Sequence, residues 1–233
     1  MTTMSYQQRR GELATYFDRT AVDAWARLTS TAPVSRIRAT VRAGRDDMRD
    51  TLLGMLPASL HGQRLLDAGC GTGALSTAAA LRGAQVLAVD LSPTLVGLGS
   101  ERLPAKLGFG RIEFRVGDMC DTSLGGFDHV VAMDSLIHYR LSDVVRVLAG
   151  FAARTQHSIV FTFAPKTPAL TLMWGAGRLF PRKDRAPSIE PISEGSLRRA
   201  LATEPALQSW RVGRTLRVSS GFYKSQAMEL VKL

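Results

Sequence analysis

A chain of 233 residues with 45% hydrophobic content suits one α/β domain with added elements and is short for two such domains. Its 30 Lys and Arg against 20 Asp and Glu give a formal charge of +10, which favours anionic partners: nucleic acid, an acidic membrane surface or a carboxylate-bearing molecule. The arginines are spread rather than blocked, which weighs against nucleic acid. No run reaches the ~18–20 apolar residues that span a bilayer, and the polar opening MTTMSYQQRRGELATYF develops no leader-like apolar core. The two cysteines, Cys70 and Cys120, form no metal-binding cluster. They are expected as reduced thiols, and the chain as cytoplasmic.

Residues 1–62 read as helical. TYFDRTAVDAWARLTS places Phe17, Val22, Trp25 and Leu28 at roughly helical spacing. A second helix, over about 35–55, carries Ile37, Val41, Met48, Leu52 and Leu53 on its apolar side. Arg36, Arg38, Arg42, Arg45 and Arg49 lie largely outside; with Asp46 and Asp47 interrupting them, they read as a solvated face. Pro57 closes this segment.

The period then changes. QRLLDA, QVLAVD, IEFRVG, DHVVAM and HSIVFTF are short β-rich runs, with helical stretches over 74–82, 93–103 and 141–153 between them. Ser92-Pro93 is a helix start, serine as N-cap and proline at the first position. Apolar strands alternating with helices predict a parallel sheet covered on both faces. A helix near 193–203 follows, and then SWRVGRTLRVS and GFYKSQAMELVKL, which alternate as an antiparallel pair. The Pro- and Gly-rich stretch 164–188 is an insertion after the fifth strand.

The loop LLDAGCGTGA, residues 65–74, admits two readings. Gly69-x-Gly71-x-x-Ala74 fits a dinucleotide fingerprint, and Asp67-x-Gly69-x-Gly71-x-Gly73 fits a loop for S-adenosylmethionine. Asp90, ending the next strand, suits the ribose of either. Asp67 favours the second, because a carboxylate there is unwelcome beside a pyrophosphate but suits an amino group. Asp118, in Gly117-Asp118-Met119, can accept from an adenine amino group while Met119 packs on the ring. MDSLIHY, residues 133–139, ends the fourth strand, where ligands approach an open α/β sheet.

These four signatures resemble the class I S-adenosylmethionine-dependent methyltransferases, from about residue 63 to the C-terminus. The resemblance implies a Rossmann-like α/β fold, with a seven-stranded, mostly parallel sheet and an antiparallel last strand. It implies that Asp67, Gly69, Cys70, Gly71, Gly73, Asp90, Leu91, Asp118, Met119 and Met133 bind S-adenosylmethionine and its product S-adenosylhomocysteine. No (Asp/Asn/Ser)-Pro-Pro-(Tyr/Phe) motif of nucleic-acid amine methylation follows the fourth strand, and no acidic cluster offers the metal site of catechol methylation.

YFDRTAVDAWARL, LLDAGCGTGALS, MDSLIHY and FTFAPKTPALTLMWGAGRLFPRKDRAP together extend the resemblance to the magnesium-protoporphyrin IX methyltransferase family of (bacterio)chlorophyll synthesis, over residues 16–233. That implies esterification of one propionate of the porphyrin, with Tyr16 and His138 as active-site residues. Either side chain would orient the propionate; His138 would alternatively approach the porphyrin magnesium. The helical segment 1–62 is then expected as a lid over a methyltransferase domain, 63–233. The insertion, with Leu170–Trp174 beside Arg178, Arg182, Lys183 and Arg185, is expected to cap the macrocycle or touch the photosynthetic membrane peripherally. The large subunit of magnesium chelatase is a conceivable partner. A quinone precursor is the alternative small substrate, with RNA ranked below it.

Overall fold

A computed structural model describes residues 3–20, 35–166 and 188–233. One sheet contains β1 (Arg64–Ala68), β2 (Gln85–Asp90), β3 (Arg111–Val116), β4 (Phe127–Ala132), β5 (Thr155–Phe163), β6 (Trp210–Ser220) and β7 (Tyr223–Lys232), in the order β3-β2-β1-β4-β5-β7-β6. The first five strands pair in parallel, and β7 runs antiparallel to both β5 and β6. The last strand therefore inserts between β5 and β6. Residues 225–230 of β7 are buried throughout, whereas β6 alternates with solvent as an edge strand does.

Successive residues of each strand serve opposite faces, so the sheet carries two cores. Leu66, Val130, Ile159, Phe161 and Met228 pack on one face; Leu65, Val131, Val160 and Ala227 pack on the other. The helices are α1 (Met4–Thr15), α2 (Arg36–Gly54), α3 (Ala74–Leu81), α4 (Pro93–Glu101), α5 (Leu141–Ala152) and α6 (Glu194–Thr203). Ser92 caps α4 by accepting the Leu95 N–H at 3.2 Å, as its sequence predicts.

The N-terminal segment departs from the sequence reading in two ways. Its first helix starts at Met4, ahead of the apolar periodicity, and passes into a π-helical turn at Tyr16–Thr20. Val22, Trp25 and Leu28 lie outside the described residues. α1 buries only Tyr6 and Leu13. It is held by polar contacts: Thr3 and Ser5 hydroxyls donate to the buried Asp143 carboxylate at 2.5 and 2.8 Å. Such a helix has no amphipathic signal to read. α2, by contrast, is part of the core. Met48, Leu52 and Leu53 join the second core, and Arg214, paired with Glu229 of β7, donates to the carbonyls of Gly54 and Met55 at the helix end. Within the expected lid segment 1–62, α2 therefore packs as part of the domain core.

Candidate active site

β1 is the point where chain connections reverse direction across the sheet, since β2 lies on one side and β4 on the other. The crevice beyond the C-terminal ends of such strands is where α/β sheets bind ligands. Here the glycine loop leaves β1. Gly69 (φ +86°) and Gly71 (φ +55°) take left-handed conformations that glycine alone adopts freely. A Cβ on Gly69 would collide with Ser135, whereas one on Gly71 would meet nothing within 4 Å, because that position faces open cavity. Asp90 fixes the loop: its carboxylate accepts the N–H of Gly71 at 2.8 Å and of Ser92 at 2.9 Å.

Asp67 is 1% exposed and accepts the Ser76 hydroxyl at 2.5 Å. Burial lifts its pKa to about 6, the Ser76 hydrogen bond opposes the rise, and the nearby Asp90 adds to it. Burial raises Asp90 as well. Cys70 is driven up by burial first and then by Asp67 and Asp90, so it stays a neutral thiol. Ser135 Oγ is buried without a hydrogen-bond partner among the described residues. Two desolvated carboxylates, an orphan hydroxyl and a glycine cradle fit a ligand carrying an ammonium group and ribose hydroxyls.

Asp118 and Met119 close the far end, with Leu91 and Leu95 on the same wall. Asp118 accepts the Cys120 N–H at 2.9 Å, the Tyr6 hydroxyl at 2.7 Å and the Arg10 guanidinium at 2.7 Å. Tyr6 also stacks on Tyr139, centroids 4.9 Å apart. The expected adenine acceptor is therefore also the anchor of α1. Neither Tyr6 nor Arg10 was legible as a site residue in the sequence, because α1 lacks an apolar stripe.

Tyr16 and His138 line the same cavity and are linked through Phe17. Phe17 meets Tyr16 edge-on at 5.2 Å and His138 at 6.1 Å. Burial raises the Tyr16 pKa, which keeps its hydroxyl protonated as a donor. His138 sits on a 3-10 turn, Leu136–His138, and its Nδ1 lies 3.3 Å from the Ser188 carbonyl. A carbonyl only accepts, so that contact places the proton on Nδ1. Asp18 ties the π-helical turn to α4, accepting the Thr94 hydroxyl at 2.9 Å.

Beside Met133, Asp134 adopts φ +53°, an uncommon conformation for a residue with a side chain. Its carboxylate accepts from Arg45 at 2.7 Å, Tyr223 at 3.0 Å and Ser225 at 3.3 Å. Arg45 thus offsets an anion at the strand end that an anionic substrate would otherwise face. The reading of the α2 arginines as a solvated face is corrected here: Arg38, Arg42, Arg45 and Arg49 all line the cavity. Positions 38, 42, 45 and 49 fall within about 60° of one helical face. That stripe was visible in the sequence, but which side of the helix met a cavity was not. The cavity runs unbroken from Asp118 to Phe222 and encloses about 1230 Å³. That exceeds the ~300–1,000 Å³ of pockets for a single drug-sized ligand, leaving room for two.

A family model described as methyltransferase domain matches residues 65–157, and one described as magnesium-protoporphyrin IX methyltransferase C-terminus matches 132–232. Along nearly its whole length the chain is 48% identical to magnesium-protoporphyrin O-methyltransferase of Rhodobacter capsulatus, covering 96% of this chain and 97% of that one. The chain belongs to the magnesium-protoporphyrin O-methyltransferase family. The methyltransferase superimposes on the crystal structure of magnesium protoporphyrin IX methyltransferase from Synechocystis PCC 6803 with bound S-adenosylhomocysteine. The TM-score is 0.83 at 29% identity, covering 96% of this chain and all of that one. Its resemblance to a ubiquinone biosynthesis O-methyltransferase of Xanthomonas campestris is 42% identity over only 34% of each chain. This is an S-adenosylmethionine-dependent methyltransferase. No helix among its described residues is long and apolar enough to cross a membrane.

Proposed function

We propose that this chain esterifies one propionate of magnesium protoporphyrin IX, giving the monomethyl ester on the way to (bacterio)chlorophyll. The observation that carries the reading is one continuous cavity with two unlike sets of lining residues: buried carboxylates and glycines, and a second set of Tyr16, Phe17, His138 and the α2 arginines. S-adenosylmethionine, when bound, supplies an electrophilic methyl group on a sulfonium. Asp67 would hold its amino group, Gly69, Cys70, Gly71 and Gly73 its methionine portion, Asp90 its ribose, and Asp118, Met119 and Leu91 its adenine. Met133 would border the reacting end.

A propionate is ionised at neutral pH, its pKa being near 4, so its oxygen needs no general base. It attacks the methyl carbon as the bond to sulfur breaks. What the protein must supply is alignment and compensation for desolvation. Tyr16 donates to the carboxylate, and His138 holds it against the reacting methyl group. α1 and the π-helical turn act as the lid that keeps water away, swinging on the contacts to Asp118, Asp143 and Thr94.

Incubation with S-adenosylmethionine and magnesium protoporphyrin, followed by mass measurement of the pigment, tests the reading. A product heavier by one methyl group, absent when either partner is omitted, is expected. No product from a protein that binds S-adenosylhomocysteine would overturn it in favour of another small acceptor. A pigment this poorly soluble also supports hand-over from the chelatase large subunit, and the basic insertion supports peripheral contact with the photosynthetic membrane. Co-precipitation and liposome flotation test these two partners.

A further inference from the structure

The α2 stripe places one arginine, Arg38, against the cavity with no ion-pair partner among the described residues. Arg45 is paired with Asp134 at 2.7 Å, and Arg49 with Asp46 at 2.8 Å. Arg38, one turn before Arg42 and nearer the start of α2, has no ion-pair partner among the described residues. Arg42, half-buried, lines the cavity beside it, and Lys224 lines it from the tip of the β6–β7 hairpin. Between these cations the wall is apolar, formed by Val41 and the exposed ring of Phe222. An apolar wall edged by guanidinium groups suits a flat apolar body with a carboxylate on its rim.

Protoporphyrin carries two propionates, and only one can lie against the methyl donor. We infer that Arg38 and Arg42 bind the second, non-reacting propionate, and that they thereby limit the enzyme to a single esterification. This rests on the substrate proposed above. The first transfer turns one carboxylate into a neutral ester. For a second transfer the product must turn over, presenting its remaining carboxylate to the methyl donor and its ester to the two guanidinium groups. An ester offers no charge and a poorer acceptor, so the binding of that orientation is weakened. The arginines act as specificity determinants and take no part in bond making.

The test compares wild type, Arg38→Gln/Arg42→Gln and Arg38→Lys/Arg42→Lys with two substrates, the porphyrin di-acid and its monomethyl ester. Wild type should prefer the di-acid by about tenfold or more in KM, the magnitude of one or two charge-assisted contacts. In the Gln pair that preference should fall toward one, with the di-acid KM up about tenfold and kcat nearly kept. Prolonged incubation should then accumulate diester. The Lys pair should restore most of the preference. Absorbance titration of the S-adenosylhomocysteine-loaded proteins with the di-acid should show the same order of affinity, weakening with salt in wild type more than in the Gln pair. Unchanged melting curves would show that folding is intact. A Gln pair that discriminates di-acid from monoester as well as wild type does would overturn the inference while leaving the proposed function standing. A wild type that makes no ester overturns both.

Discussion

At Asp67 a carboxylate sits buried, hydrogen-bonded to Ser76 and with no cation beside it among the described residues. Its pKa is lifted to about 6 from an ordinary 3.8, so the unfolded chain gives up this proton first. The native fold therefore loses stability from this group as pH rises from about 4 through 6, on the order of 2–3 kcal/mol. An ammonium group bound beside the carboxylate removes that penalty. Two outcomes are expected. Calorimetric affinity for S-adenosylhomocysteine should weaken below about pH 6 in wild type, approaching tenfold per pH unit. Asp67→Asn should bind roughly 10–100-fold more weakly at pH 7.5, with a flatter pH profile, yet melt higher than wild type without the cofactor. Asp90, also raised by burial, sets whatever pH dependence remains. His138→Ala and Tyr16→Phe should each lower kcat about tenfold or more while leaving S-adenosylhomocysteine affinity unchanged. Normal turnover in both variants at saturating substrate would remove them from the mechanism.

Among the elements, α1 and α2 behave in opposite ways, and both come from the helical N-terminal region. α2 is anchored by fully buried Met48 and Leu52, and Leu→Ala at such a site costs about 2–5 kcal/mol. α1 is anchored by hydrogen bonds from Thr3, Ser5, Tyr6 and Arg10 to carboxylates of the domain. Contacts of that kind are worth about 0.5–3 kcal/mol each, and water can replace the exposed ones. α1 is therefore the element that opens below the global unfolding free energy. Hydrogen exchange should be fast in residues 4–15 and slow markedly when S-adenosylhomocysteine is added, with α2 protected in both conditions. Equal protection of α1 with and without the cofactor would mean a fixed wall rather than a lid. Tyr6→Phe or Arg10→Ala should increase exchange in α1 and weaken cofactor affinity together, since both act through Asp118.

For the molecule as a whole, the proposed cofactor site couples ligand to fold through the loop that leaves β1. Gly69, Asp67 and Asp90 are held by β1, β2 and β4 at once, so ligand bound there braces the centre of the sheet. At about 100 times its dissociation constant, S-adenosylhomocysteine should add about 2.7 kcal/mol and raise the melting temperature by roughly 5–10 °C. The charge of +10 has a counterpart at this scale too. Part of it lies in the α2 stripe that lines the cavity, so salt should weaken porphyrin binding more than cofactor binding.

The strand and helix order, the cap at Ser92 and the polar residues that end β1, β2 and β3 were legible in the chain itself. Each depends on a local rule: period, cap chemistry, or a polar residue where an apolar strand ends. The pairing of β7 between β5 and β6 and the docking of α1 on Asp118 were not legible. Nor was the turning of the α2 arginines into the cavity. These depend on contacts between residues far apart in sequence, such as Arg45 with Asp134 and Tyr6 with Asp118, which leave no periodic trace. An arginine stripe looks the same in sequence whether it faces water or a pocket. The packing of Met48 and Leu52 against the sheet fixes the rotation of α2, and with it the face that lines the cavity.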